Sequence, residues 1–171
     1  IEPFAKNQRF TVRLTPLRVG AIGYRTVAVG HPDYPALELA RELLYNEQGS
    51  GLIDALVDQG KLLIALPFPL DHAEDGLELI FYAPRLLFQP FGKAEKLIAG
   101  AYDRVAAGDF DEAEMDALRD NLLRQQDREF ETNEDRALAM AEAFTKGDGW
   151  AAALRDRERL RTLTKAELVE V

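Results

Sequence analysis

Apolar positions recur with two different periods along this chain, and the change of period divides it. Near the start, the stretch RFTVRL (residues 9–14) alternates Phe10, Val12 and Leu14 with Arg9, Thr11 and Arg13, the pattern of a half-buried strand. YRTVAVG (24–30) predicts a second strand, rich in β-branched residues. The two prolines of HPDYP break it. Asp33 is the predicted N-cap of a helix with Pro35 in its first turn. That helix sets Leu37, Ala40 and Leu44 on one face, with Glu38 and Arg41 at the polar margin. Gly49, Ser50 and Gly51 end it. Ser50 is expected to cap a short helix carrying Ile53, Leu56 and Val57, and Gly60 to close that helix in a left-handed conformation. KLLIALPF (61–68) predicts a buried strand, LDHAEDG a polar loop, and LELIFYA (77–83) a further strand, antiparallel to the one before it.

After residue 90 the period becomes helical. Leu97, Ile98, Ala101, Tyr102 and Val105 share a face within residues 93–108. Asp109 with Glu112 has the spacing of a capping box for a helix holding Met115, Leu118 and Leu122. Thr132 is a new cap, Gly147 and Gly149 are stops, and Thr164 with Glu167 makes a final capping box. The order of elements lacks the regular alternation of a doubly wound sheet. It predicts an α+β domain: an antiparallel sheet with helices packed on one face and a long helical C-terminal part. Residues 1–171 read as one domain, residues 1–23 as a lead-in segment of uncertain role. A start at Ile1 and an end inside a helical pattern suggest a fragment of a longer chain.

Composition narrows the partners. A formal net charge of −9 argues against nucleic acid and anionic membrane surfaces, both of which call for a basic face. Without cysteine there is no disulfide, thiolate nucleophile or cysteine zinc site, and either a bacterial periplasm or a cytoplasm remains open. No apolar run approaches the roughly 20 residues of a membrane helix.

Chemistry-bearing residues are few. A zinc site draws about three or four converging ligands. The two histidines, His31 beside Asp33 and His72 among Asp71, Glu74 and Asp75, have no partner histidine at helical spacing and form no H-x-x-E-H run. A metal enzyme built on them is the weakest reading; a turn residue and a solvated loop residue suffice. Ser50 lacks the G-x-S-x-G elbow and a neighbouring base, so capping explains it better than nucleophilic attack. The mixed charges of residues 124–136 read as a solvated helix face, and Trp150 as a core anchor. The residues alone describe a helix-capped antiparallel domain with no active site of its own.

Several segments, taken in order, resemble a known family. They are GHPDYPALELARELL, the joint QGSGLIDALVDQGKLLIA, the helical DEAEMDALRDNLLRQQDREFETNEDRALAMAEAF and the terminal LRDRERLRTLTKAELVEV. From about Tyr24 to Val171 the chain is similar to the second, non-catalytic half-domain of the pitrilysin/insulinase-type zinc metallopeptidases. The resemblance implies that zinc, H-x-x-E-H and a downstream Glu belong to a catalytic half elsewhere, in the same polypeptide or a partner subunit. It implies no catalytic, cofactor-binding or metal residue in this chain. In active members the joint lends an Arg and a Tyr to the substrate; here those places hold Val57 and Leu63, which cannot donate a side-chain hydrogen bond to an oxyanion. The implied role is a wall of a peptide chamber paired with a catalytic half, with peptide substrate a candidate ligand. A scaffold domain of the same fold, with no part in proteolysis, is the alternative.

Overall fold

The computed structural model describes residues 7–12, 18–85, 88–128, 130–146 and 149–171. Three strands, β1 (Gly20–Thr26), β2 (Leu62–Asp71) and β3 (Gly76–Pro84), form an antiparallel sheet in the order β1-β3-β2. Helix α1 (Tyr34–Leu44) and the short α2 (Asp54–Asp58) lie between β1 and β2 in the chain. Then come α3 (Phe91–Ala106), α4 (Glu112–Arg128), α5 (Asn133–Lys146), α6 (Trp150–Thr162) and α7 (Lys165–Glu170). The α+β architecture read from the sequence is the one that forms.

The core lies on one side of the sheet. Alternate residues of β3, Ile80 and Tyr82, share one buried cluster with Leu39 of α1 and Ala94 and Ile98 of α3, and it reaches Met115, Leu160 and Leu168. Helices α4, α6 and α7 pack against α1, and α7 also against α3. Among the described residues no helix is long and apolar enough to cross a membrane.

Three strand expectations are corrected. Residues 9–12 form no strand, and Phe10 and Val12 are 84% and 72% exposed; Arg13 and Leu14 lie outside the described residues. Alternation alone makes no strand without a ladder partner. β1 begins at Gly20 and stops at Thr26, because its register runs from Gly20 opposite Tyr82 to Thr26 opposite Gly76, where β3 starts. A side chain at Gly20 would sit 2.5 Å from the Tyr82 ring, so glycine lets the strand begin there. Finally, β2 is not buried. Leu62 is enclosed, but Leu63, Ile64, Leu66 and Phe68 are exposed, because no described helix covers the far side of the sheet.

The helix ends follow cap chemistry in part, with one expected cap unbonded and one replaced by a neighbour. Asp33 stands at the N-cap of α1 but its carboxylate bonds no helix N–H. Asp109 pairs with Arg104, and Asp111 takes the capping role by accepting from the Ala113 N–H at 3.0 Å. Thr132 accepts from the Asp135 N–H at 3.1 Å, ahead of α5. Gly149 (φ +86°) precedes α6, and Gly147 lies outside the described residues. The box on α7 is complete: Thr164 accepts from the Glu167 N–H, and the Glu167 carboxylate accepts from the Thr164 N–H at 2.9 Å. That bond, aided by Arg159, lowers the Glu167 pKa to about 2. A depressed carboxylate stabilises above its unfolded pKa and loses the contribution as pH falls through the folded one. Amide exchange should therefore show α7 protected at neutral pH and fraying between about pH 4.5 and pH 2. Thr164→Ala should remove about 1 kcal/mol at neutral pH, measured by urea unfolding.

Candidate functional site

Helix α1 carries the most concentrated polar chemistry, and carries it inward. Arg41 and Glu78 are 8% and 2% exposed. Arg41 Nε donates to Glu78 Oε2 at 2.8 Å, while its two terminal nitrogens form a fork on Asp71, at 3.0 and 2.9 Å. Tyr34 donates to Asp71 at 3.2 Å and Tyr45 donates to Glu78. Burial works against the Arg41 charge, but the bond and charge of Asp71 and the charge of Glu78 outweigh it and keep the guanidinium protonated. Burial, then Glu78, drives the Tyr45 phenol upward and keeps it neutral. Every strong group is engaged, so the cluster binds α1 to the β2–β3 hairpin and offers no free base. Sequence reasoning set Arg41 at the polar margin and passed over Glu78. The signal was present: Glu78 is the one charge on the strand positions shared with Ile80 and Tyr82.

The joint between α1 and β2 is held by polar side chains, in a different manner from the one expected. Ser50 does not cap α2, whose N-cap is Ile53. Ser50 exchanges hydrogen bonds with Asn46, while the Asp54 carboxylate accepts from the N–H groups of Asn46 and Gly51, both at 3.1 Å. Gly60 has φ +63°, as its predicted left-handed role requires, and donates to the Val57 carbonyl at 2.8 Å. Val57 packs half-buried against the core and Leu63 is 50% exposed. No base stands beside Ser50 in its bonding set.

The histidines stay local. His31 Nδ1 accepts from the Asp33 N–H at 3.2 Å, and the His31 carbonyl accepts from the Tyr34 N–H. His72 uses its backbone, donating to the Asp75 carbonyl and accepting from the Val29 N–H, both at 3.2 Å. Among the described residues no three His, Cys, Asp or Glu side chains are grouped to hold a metal. Trp150 meets Phe130 edge-on at 5.2 Å, a local packing pair.

The far face of the sheet carries exposed apolar side chains. The registers set Ile64, Leu66, Phe68 and Leu70 of β2 beside Leu77, Leu79, Phe81 and Ala83 of β3 on one surface. Phe68 and Phe81 touch edge-on there, with centroids 6.4 Å apart. Ile64, Leu66, Phe68 and Phe81 are exposed there among the described residues, and a contiguous exposed apolar face marks a surface that meets another body.

No family model and no curated protein matches this chain. Solved structures do. A protease from Helicobacter pylori superposes with a TM-score of 0.77 at 20% identity, over 91% of this chain and 37% of that one. A domain described as the inactive peptidase domain of a zinc protease from Bordetella parapertussis superposes at 0.75 and 22% identity, over 92% of this chain and 85% of that one. A chain of complex III2 from Candida albicans superposes at 0.67 and 11% identity, over 89% and 38%. The chain thus spans little more than a third of the Helicobacter protease. What it shares with these proteins is the α+β fold.

Proposed function

We propose that this chain is the non-catalytic half of a pitrilysin/insulinase-like zinc metallopeptidase, or of an inactive paralogue. It forms one wall of a peptide chamber and pairs with a half that carries H-x-x-E-H. The uncovered apolar sheet face is the observation that carries this reading, because such a face calls for a partner or ligand. The likeness to an inactive peptidase domain supports it. Val57 and Leu63, at the places the resemblance assigns to an Arg and a Tyr, offer no side-chain hydrogen bond to substrate, which fits a wall that holds peptide and leaves the chemistry to its partner.

Mixing the purified chain with the H-x-x-E-H half of the same polypeptide or a neighbouring subunit should give a complex. Peptide hydrolysis should rise by about tenfold, or ~1.4 kcal/mol of barrier. Incubated alone with zinc and freed of excess, the chain should retain far less than one equivalent. About one tightly held zinc per chain, as a real site requires, would overturn the reading and make His31 and His72 the first residues to replace. The likeness to a complex III2 chain favours a second reading, a scaffold of the same fold. Complex formation with no gain in hydrolysis would select it.

A further inference from the structure

Helix α5 turns its apolar side away from the protein. It packs against α6, and among its described side chains the half-buried ones are Ala139 and Ala143. At about 100° per residue, Asp135, Arg136 and Glu142 flank that inner side. Ala137, Leu138, Ala141 and Phe144 lie on the opposite side and are exposed, Phe144 at 80% and Leu138 at 60%. Such a stripe is the one an amphipathic helix ordinarily buries. Here two alanines make the inner contact and the largest side chains point outward. Large apolar side chains grouped on one exposed helix face mark a surface that meets another body.

The order of residues along the stripe identifies that body. Leu138 and Phe144 stand three residues before and three residues after Ala141. A two-fold axis at Ala141 therefore lays an antiparallel copy of α5 in register on the first. Ala141 then meets Ala141, and Phe144 of each copy shares a layer with Leu138 of the other. Alanine at the centre lets the helix axes approach to about 8 Å, the near end of the usual range, and the two Leu–Phe layers fill the space on either side. A parallel copy would stack Phe144 on Phe144 at one level and Leu138 on Leu138 at the other, with the helix dipoles side by side; the antiparallel copy makes two equal layers and opposes the dipoles. A surface that matches its own reversed copy is what an isologous contact requires. Glu134 is the one charge within this face and lies two turns from the axis, so no like charges meet at the centre. Covering the stripe on both copies removes roughly 1,000 Å² in all, the lower end for a specific contact, so the pair is weak and transient.

From this arrangement we infer that α5 is a self-association helix, and that two copies of this chain pair through an antiparallel α5–α5 contact centred on Ala141. The contact uses no residue of the sheet and is independent of pairing with a catalytic half.

Sedimentation velocity over a concentration series tests it. The chain should pass from monomer to dimer with a Kd on the order of 10–100 μM. Added salt should tighten the dimer, because each copy carries a net charge of −9 and the contact itself is apolar. Phe144→Lys and Leu138→Glu should each weaken the dimer by at least about tenfold. Both side chains are exposed in the monomer, so the urea midpoint of each variant should match the parent. Mixed in equal amounts, the two variants should dimerise again: the antiparallel register sets the introduced lysine against the introduced glutamate in one layer and leaves the native Leu–Phe layer intact. The chain has no cysteine, so Ala141→Cys should give a disulfide-linked dimer on mild oxidation, as Cβ atoms facing across a close contact allow. Three results would overturn the inference. A chain still monomeric at about ten times the upper Kd would assign α5 to a different partner. A Phe144→Lys or Leu138→Glu chain that dimerises like the parent would put the contact elsewhere, as on the exposed sheet face. A mixture of the two that fails to dimerise would exclude the antiparallel register. None of these outcomes bears on the complex-formation experiment, so the two readings fail separately.

Discussion

Replacing Arg41 with methionine is expected to destabilise the fold by about 3–5 kcal/mol, the largest effect of any single polar substitution in this chain. Methionine keeps the unbranched stem and the helix propensity, so the loss isolates the guanidinium. Its removal leaves the Glu78 carboxylate, 2% exposed, with the Tyr45 hydroxyl as its donor among the described side chains, and it takes both prongs of the fork from Asp71. A buried charge stripped of its counter-charge costs far more than the intact pair contributes. At roughly 2–4 °C per kcal/mol for a chain of this size, the melting midpoint should fall by about 10 °C or more. Adding Glu78→Gln should return part of the loss, since the orphaned charge is then gone. A single variant within about 1 kcal/mol of the parent would mean that water reaches the cluster freely, and that it does not fasten α1 to the hairpin.

The cluster also bears on the proposed role. One guanidinium and two carboxylates fix α1 against β2 and β3 from the core side, leaving the opposite face of those strands uncovered. A rigid sheet with one face anchored and the other apolar is suited to being a wall. Nothing in the cluster can act on a substrate, since each strong donor and acceptor already has a protein partner.

Much of the fold was legible because its signals are local. The Thr164–Glu167 box, the cap at Thr132 and the left-handed Gly60 each depend on residues within one turn. The pairing of β2 with β3 followed from two apolar runs joined by a short polar loop. What escaped depends on distance along the chain. KLLIALPF has no alternation, and an apolar run reads the same whether its second face is covered or bare. The Arg41 cluster joins residues 30 and 37 positions apart, so no window of sequence contains it. The strand pattern of residues 9–12 was real as a pattern, but strand formation depends on an unpaired ladder within reach. The joint was seen as a built feature, yet the residue that holds it proved to be Asp54 in place of Ser50. An acceptor reaching back to two N–H groups competes well with a cap at the expected position.

That joint carries the second large prediction. Its three glycines read alike in sequence, but they do different work. A side chain at Gly49 or Gly60 would meet open space, and the constraint there is the positive φ of +70° or +63°. Gly51 has no such φ, yet its added Cβ would lie 2.4 Å from the Leu44 carbonyl oxygen and 2.6 Å from the Tyr45 Cα. Those are backbone atoms at the end of α1, fixed by the Leu52 and Ile53 N–H bonds to Leu43 and Leu44 at 3.0 and 2.7 Å. They cannot yield as a flexible side chain would. Gly51→Ala must therefore part the joint from α1, lengthening those bonds and lifting Ile53, 1% exposed, from the core. A cost of about 2–3 kcal/mol is expected, in the range of core overpacking. Gly49→Ala should cost about 1 kcal/mol, the price of a left-handed alanine. Urea unfolding of the two variants side by side decides the point. If Gly51→Ala proves the milder of the two, the close approach of the joint to α1 is not what holds this corner together.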